Sequence, residues 1–138
     1  MQIIKTLIVD DNTPFRKLLR SFLSSEPDIE VVGDASDGDT ALNQAKKLLP
    51  DLVIMDVSMK KVNGIEATRR IKKVIPEVKV IILSVYDLDE YREAAKANDV
   101  SSYVLKKNMI HELIPAIQAA FSSPDDSNLP KKTPDDEG

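Results

Sequence analysis

The stretch ALNQAKKLLPDLVIMD, residues 41–56, contains one full repeat of an architecture that recurs along the chain. Ala41, Leu42, Ala45, Leu48 and Leu49 fall at helical spacing and form one apolar stripe. Pro50 ends that helix, since proline lacks an N–H and disfavours helical backbone in the residue before it. Leu52 to Met55 is then continuously apolar rather than alternating, the pattern of a strand buried on both faces of a parallel sheet. Asp56 follows at once, which puts a carboxylate at the strand's carboxyl end.

Working outward, similar apolar runs occupy Ile3 to Val9, Ile29 to Val32, Val78 to Leu83 and Tyr103 to Leu105. Helical stripes lie between them. Phe15, Leu18, Leu19, Phe22 and Leu23 make the first, with Asn12 or Thr13 as its cap and Pro14 in its first turn. Ile65, Thr68, Ile71, Val74 and Ile75 make the third, ended by Pro76. A shorter one runs from Leu88 through Tyr91, Ala94 and Ala95, and the last from Ile110 through Leu113, Ile114, Ile117, Ala120 and Phe121. Pro115 inside the last helix predicts a kink or a later start. Strands alternating with helices predict an α/β domain: a five-stranded parallel sheet, order 2-1-3-4-5, with right-handed crossovers and helices on both faces. The domain is expected over residues 1–121, with 122–138 a flexible, acidic, Pro-containing linker or tail.

A chain of 138 residues is one domain's worth. The absence of Cys excludes disulfides, thiolate ligands and a Cys nucleophile, and a lone His argues against a multi-His zinc site. The opening MQIIKTLIVDD turns acidic directly after its apolar run, which fits neither a signal peptide nor a membrane span, so a cytoplasmic protein without a membrane partner is expected. Nineteen basic and 23 acidic residues give a net charge of -4, with no basic surface for nucleic acid, so direct nucleic-acid binding by this chain is not expected. Arg69, Arg70, Lys72 and Lys73 read as a solvated helix face, and His111 as a surface residue.

In open parallel sheets ligands bind beyond the carboxyl ends of the strands, where the strand order reverses. Asp10 and Asp11 leave the first run there, Asp56 the third, Ser84 the fourth and Lys106 the fifth. Three carboxylates in one pocket repel, and a divalent cation offsets this most simply, with Lys106 adding positive charge. Oxygen ligands without thiol or imidazole point to Mg2+ or Mn2+. With the cation present, Asp56 could attack phosphorus as a carboxylate nucleophile, and Ser84 and Lys106 could hold the phosphoryl oxygens.

LIVDD (7–11), VIMDVSM (53–59) followed by Asn63-Gly64, ILS (82–84) and YVLK (103–106) occur in order at βα spacing. From Ile3 to about Phe121 the chain thus resembles the receiver domain of two-component response regulators, a flavodoxin-like (βα)5 fold. The resemblance implies that Asp56 is the phosphoacceptor, supplied by a histidine kinase. It implies Mg2+ on Asp10, Asp11, Asp56 and the Ser58 backbone carbonyl. Ser84 becomes the switch hydroxyl, Lys106 the phosphate-pairing lysine and Tyr103 the reorienting aromatic. The surface of the fourth helix, fifth strand and fifth helix would then change its partner preference, and offers a route to a homodimer. Such a domain is a signalling switch, catalysing only its own phosphorylation and slow autodephosphorylation.

VVGDASDG (31–38), LSVYD (83–87) and YVLKK without a following Pro resemble the LuxR/NarL type, whose output is a helix-turn-helix DNA-binding domain. The 17 residues after Phe121 are too few for one, so any such output is expected C-terminal to this chain or on a separate partner. Ser58, Val85 and Tyr86 flank the expected path of water and are read as tuning hydrolysis. Three departures from the family pattern stand out: Lys60 where Pro is common, Val85 where a small residue is common, and Asn98-Asp99 where Gly-Ala often ends the fourth helix, with Asn suited to left-handed backbone there. Three other readings compete. A phosphohydrolase would want a second Asp where Ser58 stands. A flavin-type cofactor binder would want phosphate donors where DDNTP presents carboxylates. A phosphorylation-independent interaction module would not need the reacting groups at all.

Overall fold

A computed structural model describes residues 2–59 and 63–122 of the chain. The strands are β1 (Ile4–Val9), β2 (Ile29–Ala35), β3 (Leu52–Met55), β4 (Lys79–Ser84) and β5 (Ser102–Leu105). The helices are α1 (Thr13–Leu23), α2 (Gly38–Leu48), α3 (Gly64–Val74), α4 (Asp89–Ala97) and α5 (Met109–Phe121), with a short 3-10 turn at Lys106–Asn108. All strand pairs are parallel, in the order β2-β1-β3-β4-β5. The expected fold class therefore holds.

Alternation along each strand builds the two layers. Leu7, Val9, Val53, Met55, Val80 and Ile82 pack with Ala41, Ala45, Ala67, Ile71 and Ala95 from α2, α3 and α4. Ile8, Leu52, Ile54, Ile81, Leu83 and Val104 point the other way, onto Leu19, Leu23, Leu113 and Ile117 of α1 and α5. Burial on both faces is why these runs show no polar alternation, and each fully buried Leu or Ile contributes roughly 1.5–3 kcal/mol.

Local details differ from the sequence-based expectations. β2 runs to Ala35, three residues past Val32, with an irregularity where the partner of Thr6 is Val31 and that of Leu7 is Gly33. α5 begins at Met109, before Ile110, and runs through Pro115, whose missing N–H deprives the His111 carbonyl of its helical donor. The left-handed residue after α4 is Asp99 (φ 60°), not Asn98, whose side-chain amide instead donates to the Ala94 carbonyl at 2.8 Å. Leu18, Val74 and Ile110, counted among the apolar stripes, are exposed. Lys72 is not part of a solvated face: its ammonium is largely buried and donates to the Val78 carbonyl at 3.0 Å. Asn12 is the α1 cap, accepting from Phe15 N–H at 2.8 Å, and His111 is exposed as expected. The readings of Lys60 and of residues 123–138 lie outside the described residues.

Leu49 is the sharpest exception to the stripe at residues 41–49. It lies beyond the end of α2 with φ 48° and is 58% exposed. Left-handed backbone crowds Cβ against the carbonyl at a cost of about 1–2 kcal/mol for an ordinary residue, less for Asn. Leu49→Asn is therefore expected to stabilise the fold by about 0.5–1 kcal/mol, seen as a raised midpoint in urea denaturation; a lowered midpoint would show that the Leu49 side chain compensates its backbone.

Candidate functional site

Register brings the acids together. Val9 pairs with Met55 in the centre of the sheet, so the next residue of each strand, Asp10 and Asp56, emerges side by side where the strand order reverses. The Asp56 N–H donates to the Val9 carbonyl at 3.0 Å, and the Asp10 N–H to the Ala35 carbonyl at 3.0 Å. Asp10 and Asp56 are buried, 2% and 5% exposed, whereas Asp11 faces solvent. One carboxylate oxygen from each of Asp10, Asp11 and Asp56 lies within 4.8 Å of the others.

Burial, first, and then the Asp10 charge push the Asp56 carboxyl up to about 6, with a smaller push from Asp11. The Lys106 charge and the Ser58 N–H, 3.4 Å from Asp56 Oδ1, pull the other way. Lys106 follows β5, and its Nζ sits 2.7 Å from Asp10 Oδ2 and 4.0 Å from the centre of the Phe15 ring. The ring, read from the sequence only as part of an apolar stripe, gives the ammonium an aromatic floor. The Asp10 carboxylate also accepts from the Asn12 N–H at 2.9 Å through Oδ1.

Gly64 closes the site from below. Its N–H donates to the Val57 carbonyl at 2.8 Å, drawing the start of α3 against the segment that follows Asp56. A Cβ here would meet the Asp56 carbonyl, so only glycine fits. Asn63 caps α3 through its side chain, accepting from the Glu66 N–H at 2.9 Å. Beside this segment a cavity of about 510 Å³ opens towards α4, lined by Ser58, Met59, Ile65, Glu66, Tyr91 and Ala94 among others.

On the far side, Ser84 ends β4 fully buried, one register position from Lys106 through its partner Leu105. Tyr86 links it to Tyr103: the Tyr86 N–H donates to Ser84 Oγ at 3.0 Å, and the Tyr103 hydroxyl donates to the Tyr86 carbonyl at 2.7 Å. Burial raises the Tyr103 phenol above its ordinary value, against smaller opposing effects of the Ser84 hydroxyl and the Arg92 charge. The Arg92 guanidinium lies 4.7 Å above the Tyr103 ring and is held there by Asp87 at 2.6 Å. Val85 and the Tyr86 ring are exposed, the latter packed edge-on against Tyr91. The sequence carried no signal for the Arg92 and Asp87 contacts, since both residues sit in a polar stretch.

A doubly wound, flavodoxin-like domain with a carboxylate cluster at its switch point and a lysine from its last strand is thus defined by fold and site together. A model of the response regulator receiver domain matches residues 6–118, and the chain belongs to that family. It is 39% identical over 115 residues to the transcriptional regulatory protein DegU of Brevibacillus brevis, a match covering 83% of this chain and 49% of DegU. It is 38% identical over 120 residues to the response regulator protein VraR of Staphylococcus saprophyticus, covering 87% of this chain and 57% of VraR. The chain spans about half the length of the curated relatives it matches. Among solved structures, a DNA-binding response regulator of the LuxR family from Staphylococcus aureus superposes with a TM-score of 0.80 at 30% identity, covering 86% of this chain and 98% of that one. A LuxR-family two-component response regulator from Aurantimonas superposes with a TM-score of 0.81 at 29% identity, covering 86% and 84%. The LuxR/NarL kinship expected from the sequence holds. Among the described residues no helix is long and apolar enough to cross a membrane.

Proposed function

We propose that this chain is the phosphoacceptor module of a two-component system, taking a phosphoryl group from a histidine kinase onto Asp56. The observation that carries the reading is the convergence of Asp10, Asp11 and Asp56 within 4.8 Å beside Lys106. Three like charges this close, two of them raising the proton affinity of the third, suit an oxygen-only donor set for Mg2+ or Mn2+. Asp10, Asp11, Asp56 and the Ser58 carbonyl would hold the ion. Bound there, it supplies positive charge that offsets repulsion between carboxylate and phosphoryl oxygens.

With a carboxyl near 6, Asp56 is mostly ionised at neutral pH and ready to attack. Its oxygen forms a bond to phosphorus as the bond from phosphorus to the donor breaks, giving an acyl phosphate on Asp56. Lys106, freed from Asp10, pairs with a phosphoryl oxygen, and the Ser84 hydroxyl donates to another. The Ser84 oxygen that would donate to phosphate also accepts from the Tyr86 N–H, so movement of this side chain reaches Tyr86, which in turn holds Tyr103. The charge change at Asp56 is thereby passed to the face formed by α4, β5 and α5, where an output partner or a second copy docks. Exposed Ser58, Val85 and Tyr86 border the approach of water and set the phosphoryl lifetime. Similarity to the transcriptional regulatory protein DegU and to the LuxR-family DNA-binding response regulator of Staphylococcus aureus supports a transcriptional, DNA-binding output for this module, with residues 1–121 as receiver and 122–138 as linker.

Incubation with Mg2+ and acetyl phosphate should add one phosphoryl group by intact mass, and chelating the metal should prevent it. A folded protein that gains no mass from acetyl phosphate or from a phosphorylated histidine kinase would overturn the reading.

A further inference from the structure

Asp10 has four polar groups, and each is tied. Its N–H donates to Ala35, Oδ1 accepts from Asn12 N–H, and Oδ2 accepts from Lys106. The fourth, its carbonyl oxygen, lies beyond the β1 ladder, which ends at Val9. It accepts from Arg16 Nη1 at 2.6 Å, and the same guanidinium reaches Thr13 Oγ1 through Nη2 at 3.2 Å.

Arg16 stands on the first turns of α1, and its Nε is the one buried side-chain nitrogen or oxygen among the described residues with no hydrogen-bond partner. Burying a guanidinium N–H without a partner is unfavourable, and surface-facing arginines avoid it by turning into water. Here the side chain is held inward by its two other contacts. The carbonyl it grips belongs to the peptide unit joining Asp10 to Asp11, a planar group. Fixing that oxygen fixes the direction in which Asp11 leaves β1. Asp11 is exposed and, among the described residues, has no hydrogen bond or ion pair of its own.

We infer that Arg16 is a positioning residue for the cation: by clamping the Asp10 carbonyl, it holds the Asp10 and Asp11 carboxylates where both can serve the ion bound with Asp56. The inference rests on the proposed cation site. Charge and clamp predict opposite effects, which makes the role testable. A positive guanidinium near the carboxylates repels a second cation, so if only its charge mattered, removing it would tighten Mg2+ binding. If it clamps, removing it weakens binding, as loss of partners behind metal ligands does by about 10- to 100-fold.

The test is Mg2+ titration of the full chain, by calorimetry and by amide resonances of Asp10, Asp11 and Asp56. Arg16→Met should weaken Mg2+ affinity about tenfold and raise the Mg2+ concentration that half-saturates phosphoryl acquisition from acetyl phosphate by a similar factor. Arg16→Lys keeps the charge but loses the fork that spans the Asp10 carbonyl and Thr13, and should fall between; it also serves if Arg16→Met does not fold. Unchanged or tightened affinity in the folded variants overturns the inference even if they melt at lower temperature. Absence of Mg2+ binding by the wild type instead overturns the proposed cation site, and with it this role.

Discussion

Asp56→Asn is expected to abolish phosphoryl uptake from acetyl phosphate and from a histidine kinase, while the protein stays folded and becomes more stable near neutral pH. The amide keeps the volume of the carboxylate but has no anionic oxygen with which to attack phosphorus. The stability change follows from the burial and the neighbouring Asp10 charge that push Asp56 up to about 6 from an ordinary 3.8. Because the folded pKa lies above the unfolded one, the folded protein binds this proton more tightly. Asp56 therefore disfavours folding least below about pH 4, and increasingly as the pH rises through 6. The difference is worth no more than about 3 kcal/mol, and Asn removes it at all pH values. Urea denaturation in the presence of a metal chelator should show wild-type stability falling relative to Asp56→Asn between pH 4.5 and 7.5. Parallel profiles would mean that the carboxylate is not destabilised by its surroundings, and uptake of phosphate by the variant would move the nucleophile elsewhere.

Gly64→Ala should be the most damaging single-methyl change in the domain. An added Cβ would stand 2.8 Å from the Asp56 carbonyl carbon and 2.9 Å from Val57 Cα, and closer still to the Asp56 oxygen. All three are main-chain atoms, which cannot rotate aside. The start of α3 must then lift away, and the Gly64 N–H to Val57 carbonyl bond is lost. A loss of about 3 kcal/mol or more is expected, in the range of severe overpacking. Phosphoryl uptake by the molecules that remain folded should fall as well, since the displaced backbone carries Asp56. Gly33→Ala provides the contrast, because its Cβ meets the end of the Leu48 side chain, 2.7 Å away, which can swing aside. It should cost about 1 kcal/mol or less. Equal melting temperatures for the two variants would show that the segment after Asp56 yields easily.

Strands buried on both faces were the readable part of the fold. β3 begins and ends where its apolar run does, because Leu52 to Met55 has no polar residue to blur it. β2 extends three residues beyond its apolar run, since Gly33 and Asp34 have the composition of a turn and only pairing with Leu7 and Ile8 keeps them extended. Helical periodicity counted Leu18, Leu49 and Ile110 as core, because spacing alone does not reveal where a stripe runs past the layer that covers it. The candidate site was legible to the extent that its members directly follow apolar runs. Asp10, Asp11 and Asp56 do so, and they cluster. The pairing of Lys106 with Asp10, the Phe15 floor and the Arg16 clamp depend on how α1 seats against β1 and β5, which no local pattern encodes.

β1 is the first strand in the chain yet lies inside the sheet, bonded to both β2 and β3. Its contact with β3 closes a loop from Val9 to Met55, and β5 is added only at Ser102. Loop closure of that length must be achieved before its contacts are gained, so the pocket assembles late in folding rather than early. No fragment lacking either end of the domain can present it. Conversely, a ligand that binds the assembled pocket is coupled to unfolding of the whole domain. At about a hundredfold excess over its dissociation constant it would add about 2.7 kcal/mol to global unfolding. Slower hydrogen exchange should then appear in β5 as surely as in β1, although the two strands do not touch.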